Sequence, residues 1–261
     1  MPMIDLDGTA IHWREDGAAE GPALVFANAL GTDLRIWDAV IARLPAHYRM
    51  IRYDMRGHGL SDLPAATCTM GQLVRDAERL LERLEVRDCV FVGLSVGGMV
   101  AQGLAAKRPD LLRGLVLSHT AARIGTREIW AARIGEVRAG GIEAIADGIM
   151  EKWFTRAFRA TPELRLWRNM VTRQPVDGYT AICQAIAGTD FYTTTAALDL
   201  PVLAIAGAKD GSTPPDLVRE TAGLVAGARF ELLRGAGHLA CVETPEAYAA
   251  CLTGFLTSIG V

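Results

Sequence analysis

What this 261-residue chain lacks is the first guide to what it does. It has no long uninterrupted apolar run. Its hydrophobic stretches are broken by glycine or charge well short of the roughly 18 residues that a membrane-spanning helix needs. The opening Met1-Pro2-Met3-Ile4-Asp5 lacks the basic segment and apolar core of a secretory leader, so a cytoplasmic protein is expected. Positive charge is not in excess: 27 Lys and Arg stand against 30 Asp and Glu, a formal net charge of -3. That leaves no basic footprint for nucleic acid. Cysteine is sparse and odd in number. Cys68, Cys89, Cys183, Cys241 and Cys251 are scattered without a C-x-x-C pair, which argues against a disulfide framework and against zinc or dithiol chemistry. No G-x-G-x-x-G opens a helix after the first strand, and no lysine follows a glycine loop in the Walker pattern. No His, Cys and carboxylate residues cluster with metal-ligand spacing. Neither a cofactor nor a metal is therefore expected, and internal repeats and low-complexity tracts are also missing.

Half of the residues are hydrophobic, enough for a full core in a chain of this length. Short apolar runs alternate with helical patterns. Ala23–Ala27, Arg49–Tyr53, Cys89–Val92, Leu112–Leu117, Pro201–Ala206 and Arg229–Leu233 read as strands. Between the second and third of these, Met70, Leu73, Val74, Ala77, Leu80, Leu81 and Leu84 repeat with a helical period across 69–84. Strands that are apolar throughout and alternate with helices predict an α/β fold with a mostly parallel sheet covered on both faces. The start differs, because Ile4–Trp13 holds an Asp7-Gly8 turn and predicts an antiparallel hairpin at the sheet edge.

The alternation stops between about Ala121 and Thr189. Short helices with breaks at Gly125, Gly140-Gly141, Pro162, Pro175 and Gly188 are expected there. The reading is a core made of 1–120 and 190–261, with 121–189 inserted as a helical lid. The alternative is that these helices extend the core.

The informative motif is Gly93-Leu94-Ser95-Val96-Gly97, a G-x-S-x-G directly after an apolar run, with a helix expected over Gly98–Lys107. Strand, tight turn, serine and helix together make a nucleophile elbow, which holds the hydroxyl clear of the sheet. A serine needs a base, usually a histidine held by a carboxylate. His238, in Gly235-Ala236-Gly237-His238 after a strand, is the best placed. His12, His47, His58 and His119 each read as structural. Asp210 follows its own strand, in Gly207-Ala208-Lys209-Asp210. Alone it reads equally as the N-cap of a helix at Thr213-Pro214-Pro215. Ser95, Asp210 and His238 all fall at the carboxyl ends of strands, where open parallel sheets bind their ligands. An oxyanion needs two backbone N–H donors. Val96, at the start of the serine helix, supplies one, and Leu30, in the turn Asn28-Ala29-Leu30-Gly31, is the candidate for the other.

Those stretches carry a resemblance. The elbow, the run Arg52-Tyr53-Asp54-Met55-Arg56-Gly57-His58-Gly59-Leu60-Ser61 and the segment ending at His238 resemble the α/β-hydrolase superfamily over nearly the full chain. The order Ser, Asp, His is that of the superfamily. Phe26–Asp33, Gly97–Ala106 and Ala121–Thr126 are similar to 3-oxoadipate enol-lactonases. Two positions depart from that subgroup: Val96 stands where methionine is frequent, and the turn reads Asn28-Ala29 rather than Asn-Ser. The resemblance implies hydrolysis of 3-oxoadipate enol-lactone to 3-oxoadipate through an acyl-enzyme, in the β-ketoadipate pathway of aromatic degradation. A cofactor-free perhydrolase or esterase of the same fold, and a hydrolase-fold binding protein with slow turnover, stay open as alternatives.

The implied substrate carries a carboxylate, and an apolar pocket needs a positive or N–H partner for it. Trp130, Ile134 and Val137 share a helix face, with Arg133 at its margin. Trp130 is the candidate pocket lining and Arg133 the candidate carboxylate contact, against a reading in which the tryptophan is core and the arginine faces solvent. The partner expected is thus a small lactone or ester, with no nucleic acid and no membrane. The sequence carries no readable sign of its oligomeric state.

Overall fold

In the computed structural model, which describes residues 2–64 and 67–261, eight strands form one sheet. They are β1 (Met3–Asp5), β2 (Ala10–Gly17), β3 (Ala23–Ala27), β4 (Arg49–Tyr53), β5 (Cys89–Leu94), β6 (Leu112–Ser118), β7 (Val202–Gly207) and β8 (Arg229–Leu233). Their order across the sheet is β1-β2-β4-β3-β5-β6-β7-β8. From β4 to β8 every pairing is parallel. The hairpin expected at the start is present: β1 and β2 pair antiparallel, and β2 pairs antiparallel with β4. Asp7 (φ +56°) and Gly8 (φ +89°) take the two left-handed positions of its turn, closed by Leu6 N–H to Thr9 O at 2.8 Å. A turn of that hand matches the twist of the strands it joins.

The helices of the core are α1 (Asp38–Ile41), α2 (Met70–Arg83) and α3 (Val96–Lys107). Between β6 and β7 lie α4 (Arg127–Gly140), α5 (Glu143–Trp153), α6 (Arg156–Arg159), α7 (Leu164–Thr172), α8 (Val176–Ala187) and α9 (Tyr192–Ala196). After β7 come α10 (Pro215–Gly223), α11 (Ala240–Glu243) and α12 (Pro245–Ser258). The chain leaves β3 toward β4 in one direction and leaves β5 toward β6 in the other. Right-handed crossovers then place α2, α3 and α10 on one face and α1 on the opposite face, where α12 packs on it. β5, at the centre, is buried along its whole length, and so is β7.

The breaks expected in the insertion fall where they were read. Gly141 (φ +70°) ends α4, Pro175 caps α8 and Gly188 closes it. Several boundaries differ from expectation by one or two residues, among them the ends of β5 at Leu94 and β6 at Ser118, and two of the shifts have a plain backbone reason. The helix after the serine begins at Val96 rather than Gly98, because the elbow turns with no spacer. β7 begins at Val202 rather than Pro201, since proline has no N–H to give to the ladder. Pro201 instead offers its carbonyl to Leu115 N–H at 2.9 Å. All five cysteines are free, and among the described residues no helix is long and apolar enough to cross a membrane.

At α2, Thr69 accepts from the Gln72 N–H through its side chain while Gln72 Oε1 accepts from the Thr69 N–H, a reciprocal cap. Thr69→Ala removes half of it. The expected cost is about 1 kcal/mol of stability, seen as a lower urea midpoint with an unchanged slope and unchanged hydrolytic rate. An unchanged midpoint would contradict the cap.

Candidate active site

β5 ends at Leu94, and Ser95 takes a left-handed backbone, φ +58° and ψ −117°. A side chain in that region costs on the order of 1–3 kcal/mol and persists only where its surroundings enforce it. Here they do. Ser95 N–H donates to Ser118 O at 2.9 Å, and Ser95 O accepts from Gly98 N–H at 2.9 Å and from Thr120 Oγ1 at 2.6 Å. The turn is tight enough that a Cβ on Gly93 would run into the Gly97 carbonyl, and one on Gly97 into the Ala27 carbonyl. That is the physical content of the two flanking glycines.

The turn after β3 lies against this elbow. Gly97 N–H donates to Asn28 O at 3.2 Å. The Asn28 side chain donates to Tyr53 O at 2.9 Å and accepts from Trp37 Nε1 at 2.9 Å, so its amide is spent on pinning the turn. Gly31, at φ +80°, donates its N–H to His58 Nε2 at 2.8 Å. Among the described residues, the N–H groups of Leu30 and Val96 have no protein acceptor. Both residues are buried, and Val96 opens α3, where the helix dipole favours negative charge. Two unpaired donors on rigid backbone, one on each side of the serine, are what a developing oxyanion requires.

Asp210 and His238 meet as expected: Asp210 Oδ2 lies 2.8 Å from His238 Nδ1. The N-cap alternative for Asp210 does not hold, since α10 starts at Pro215 with Pro214 as its cap. Its carboxylate instead organises its own loop. Oδ1 accepts from the N–H groups of Ser212 (2.7 Å) and Thr213 (2.9 Å), and Oδ2 from Thr213 Oγ1 (2.9 Å). Burial alone would raise the Asp210 carboxyl, but the His238 imidazole beside it and the hydrogen bonds from His119 and His238 reverse this and hold it far below the usual carboxylate range. The loops are clamped by the insertion. The last carbonyls of α5 accept from Gly211 N–H (Lys152 O, 3.0 Å) and His238 N–H (Trp153 O, 2.8 Å). Helix-end carbonyls without an internal partner are well suited to that task.

His119, read from the sequence as structural, reaches the same carboxylate. Its Nδ1 lies 3.1 Å from the same Asp210 Oδ2. With His238 this brings two imidazoles and a carboxylate within 4.8 Å, a grouping that sequence spacing could not reveal because the three residues sit on three loops. The separations are those of N–H···O contacts, and the cluster is a hydrogen-bonded one. His12 and His58 are structural: His12 Nδ1 meets Asp54 Oδ2 at 2.7 Å, and His58 holds the Gly31 turn. His47 is exposed.

Trp130 is buried in α4 and donates Nε1–H to Ile124 O at 2.6 Å, the packing expected of a core tryptophan. Arg133 is half-buried, with its guanidinium 5.5 Å from the centre of the Trp130 ring. It is also near enough to Tyr179 to offset part of the rise that burial imposes on that phenol. Tyr179 in turn packs at Gly31, where a Cβ would come within 3.1 Å of its ring. A groove of about 1120 Å³ runs between the N-terminal hairpin and α7, but Ser95, Asp210 and His238 do not line it. The site rests on side-chain geometry, not on the volume of that groove.

Burial lowers the His58 imidazole from 6.5 to about 4. The sign follows: the unfolded chain takes up the proton first, so the stability that neutral His58 confers is complete above about pH 6.5 and is lost as pH falls toward 4. The gap is worth on the order of 3 kcal/mol for this fully buried ring. His58→Gln keeps an acceptor for Gly31 but cannot titrate. Urea titrations at pH 7.5 and 4.5 should show a smaller acid loss in the variant than in the wild type; equal losses would remove His58 as a source.

Comparison with known proteins agrees with this geometry. The model of the alpha/beta hydrolase family matches residues 24–251. The chain is 34% identical over 256 residues to 3-oxoadipate enol-lactonase 2 of Acinetobacter baylyi, covering 95% of this chain and 96% of that one. Among solved structures, the enol-lactonase from Burkholderia xenovorans superposes with a TM-score of 0.94 at 35% identity, over 98% of this chain and all of that one. A thermophilic esterase from Thermogutta terrifontis, solved with malate bound, gives 0.91 at 27% identity, over 99% and 97% of the two chains. With its parallel sheet, serine elbow and clamped loops, the chain belongs to the α/β-hydrolase family.

Proposed function

We propose that this hydrolase opens 3-oxoadipate enol-lactone to 3-oxoadipate, with Ser95 as nucleophile, His238 as base and Asp210 as its orienting carboxylate. The observations that carry the chemistry are the buried Asp210–His238 contact at 2.8 Å and the left-handed turn at Ser95, both at carboxyl ends of strands of one parallel sheet. With Nδ1 engaged by the carboxylate, His238 Nε2 carries the lone pair that takes the serine proton. Ser95 Oγ bonds to the lactone carbonyl carbon, and the N–H groups of Leu30 and Val96 hold the oxyanion. The ring C–O bond then breaks, and His238 returns the proton to the departing enol oxygen. An enolate leaves more readily than an alkoxide, and tautomerisation to the ketone removes the nucleophile that would close the ring again. Water, deprotonated by His238, then releases the acid from Ser95.

The substrate is supported by likeness to two enol-lactonases over nearly the full chain. Arg133 is the proposed partner for the substrate carboxylate, and residues 121–189 the proposed lid that carries it. The guanidinium lies 5.5 Å from the centre of the Trp130 ring and close enough to Tyr179, which packs at Gly31, for its charge to act on that phenol. A plain esterase is the second reading, favoured by the likeness to the Thermogutta terrifontis enzyme.

Ser95→Ala should lower turnover of the lactone by about a thousandfold or more; near-normal turnover refutes the nucleophile. Arg133→Ala should raise KM for the anionic lactone about tenfold and leave KM for a neutral ester alone. Equal effects on both would remove the carboxylate contact. Wild-type kcat/KM that favours simple esters over the lactone would select the esterase reading.

A further inference from the structure

We infer that His119 is a positioning residue, a second donor to Asp210 that shares the carboxylate with His238 and so tempers its hold on the His238 imidazolium. The inference rests on the reading of Ser95, Asp210 and His238 as the catalytic set.

The observations begin with strain. His119 follows β6 and takes φ +47°, one of five non-glycine residues with positive φ among those described; Ser95 is another. Positive φ is uncommon outside glycine, although histidine enters it more often than most residues. The His119 N–H is fixed to Ile205 O at 2.7 Å, and the side chain has no exposed surface. The turn drives the ring into the space between β6 and β7, toward the loop that carries Asp210. There Nδ1 lies 3.1 Å from Asp210 Oδ2, and the ring stands edge-on to His238, with centroids 5.8 Å apart and planes at 73°.

The tautomer follows from the partners. Burial pushes His119 away from its charged form, against the pull of Asp210. A neutral imidazole has one N–H. Its Nδ1 faces a carboxylate, which is ionised and accepts only, so the proton belongs on Nδ1. The other nitrogen, Nε2, is buried and has no hydrogen-bond partner among the described residues, as suits a nitrogen that carries only a lone pair. The titratable groups facing this ring are Asp210 from the loop after β7, His238 from the loop after β8 and Glu243 at the end of α11. Glu243 is committed elsewhere, accepting from Gly237 N–H at 2.9 Å and Thr155 N–H at 3.1 Å.

Asp210 Oδ2 therefore receives three donors: His119, His238 and Thr213 Oγ1. Each donor draws off part of the negative charge that would stabilise the His238 imidazolium. Without His119, the carboxylate binds that imidazolium more strongly, and the ring keeps its proton to higher pH. A base that stays protonated cannot accept from Ser95, so the acid limb of the rate profile moves upward.

Two variants separate the donor from the fold. His119→Gly relieves the left-handed turn and removes the donor. His119→Asn tolerates the same turn and places an amide N–H near the position of Nδ1. Imidazole ¹⁵N shifts should show Nδ1 protonated and Nε2 bare at His119 in the wild type. They should also show the His238 ring titrating about half a unit to one unit higher in His119→Gly and returning to the wild-type position in His119→Asn. The acid limb of kcat/KM for p-nitrophenyl acetate should move with it. Protonation at Nε2 in the wild type overturns the inference without any variant. So does a His238 titration unmoved by glycine, or moved equally by asparagine. Should Ser95→Ala retain ester turnover, the catalytic reading fails, while the ring titrations still report whether His119 acts on His238.

Discussion

The left-handed turn at Ser95 is the constraint around which the other parts are arranged. It brings the end of β5 and the start of α3 so close together that neither Gly93 nor Gly97 can carry a side chain. It also requires outside support, which comes from β6 on one side and from the turn after β3 on the other. Both supports are available because β3 and β6 flank β5 in the sheet. The connections from β3 and β5 leave in opposite directions, so the crevice beyond their carboxyl ends is open, as it is wherever an α/β sheet changes direction. The serine stands at that crevice, and the next strands, β7 and β8, supply the carboxylate and the imidazole in turn. The strand order thus sets the order of the chemistry across the sheet.

Electrostatics follows the same geometry. Asp210 is a buried carboxylate surrounded by donors. Burial pushes the nearby imidazoles of His58 and His119 toward their neutral forms. A charge out of water is tolerated when its lone pairs are satisfied. Asp210 meets that condition with two backbone N–H groups, a hydroxyl and two rings. His58 serves the opposite end of the site: as an acceptor it takes the Gly31 N–H and so fixes the turn while leaving the preceding Leu30 N–H unpaired. Were His58 charged, that acceptor would be lost.

Much of this was legible in the sequence, and for a physical reason. Parallel strands advertise themselves as apolar runs, and the residues just beyond their carboxyl ends share one edge of the sheet. Ser95, Asp210 and His238 could therefore be grouped without knowing the strand order. His119 obeys the same rule, since it too follows a strand, but its meeting with Asp210 depends on β6 lying beside β7 and on a positive φ that the sequence Ser118-His119-Thr120 does not announce. The start of α3 was placed two residues late because its glycines looked like loop, whereas in the elbow they relieve close contacts. The clamping of two catalytic loops by the end of α5 had no local signal, because backbone carbonyls carry no residue identity.

Specificity is governed at a different level from reactivity. In the proposed mechanism the elbow and the donors around Asp210 serve any activated acyl group, and nothing in them distinguishes a lactone from an ester. Discrimination has to come from the side chains above them, and those sit on helices joined at Gly141, Pro162, Pro175 and Gly188. Two of these helices reach the core directly. α5 touches the catalytic loops through backbone carbonyls, and α8 presses Tyr179 onto Gly31. Arg133 lies over Trp130 and Tyr179 packs at Gly31, whereas the Asp210–His238 contact is held by its own loop; in the proposed reading, residues of 121–189 can therefore vary with substrate while that contact keeps its geometry.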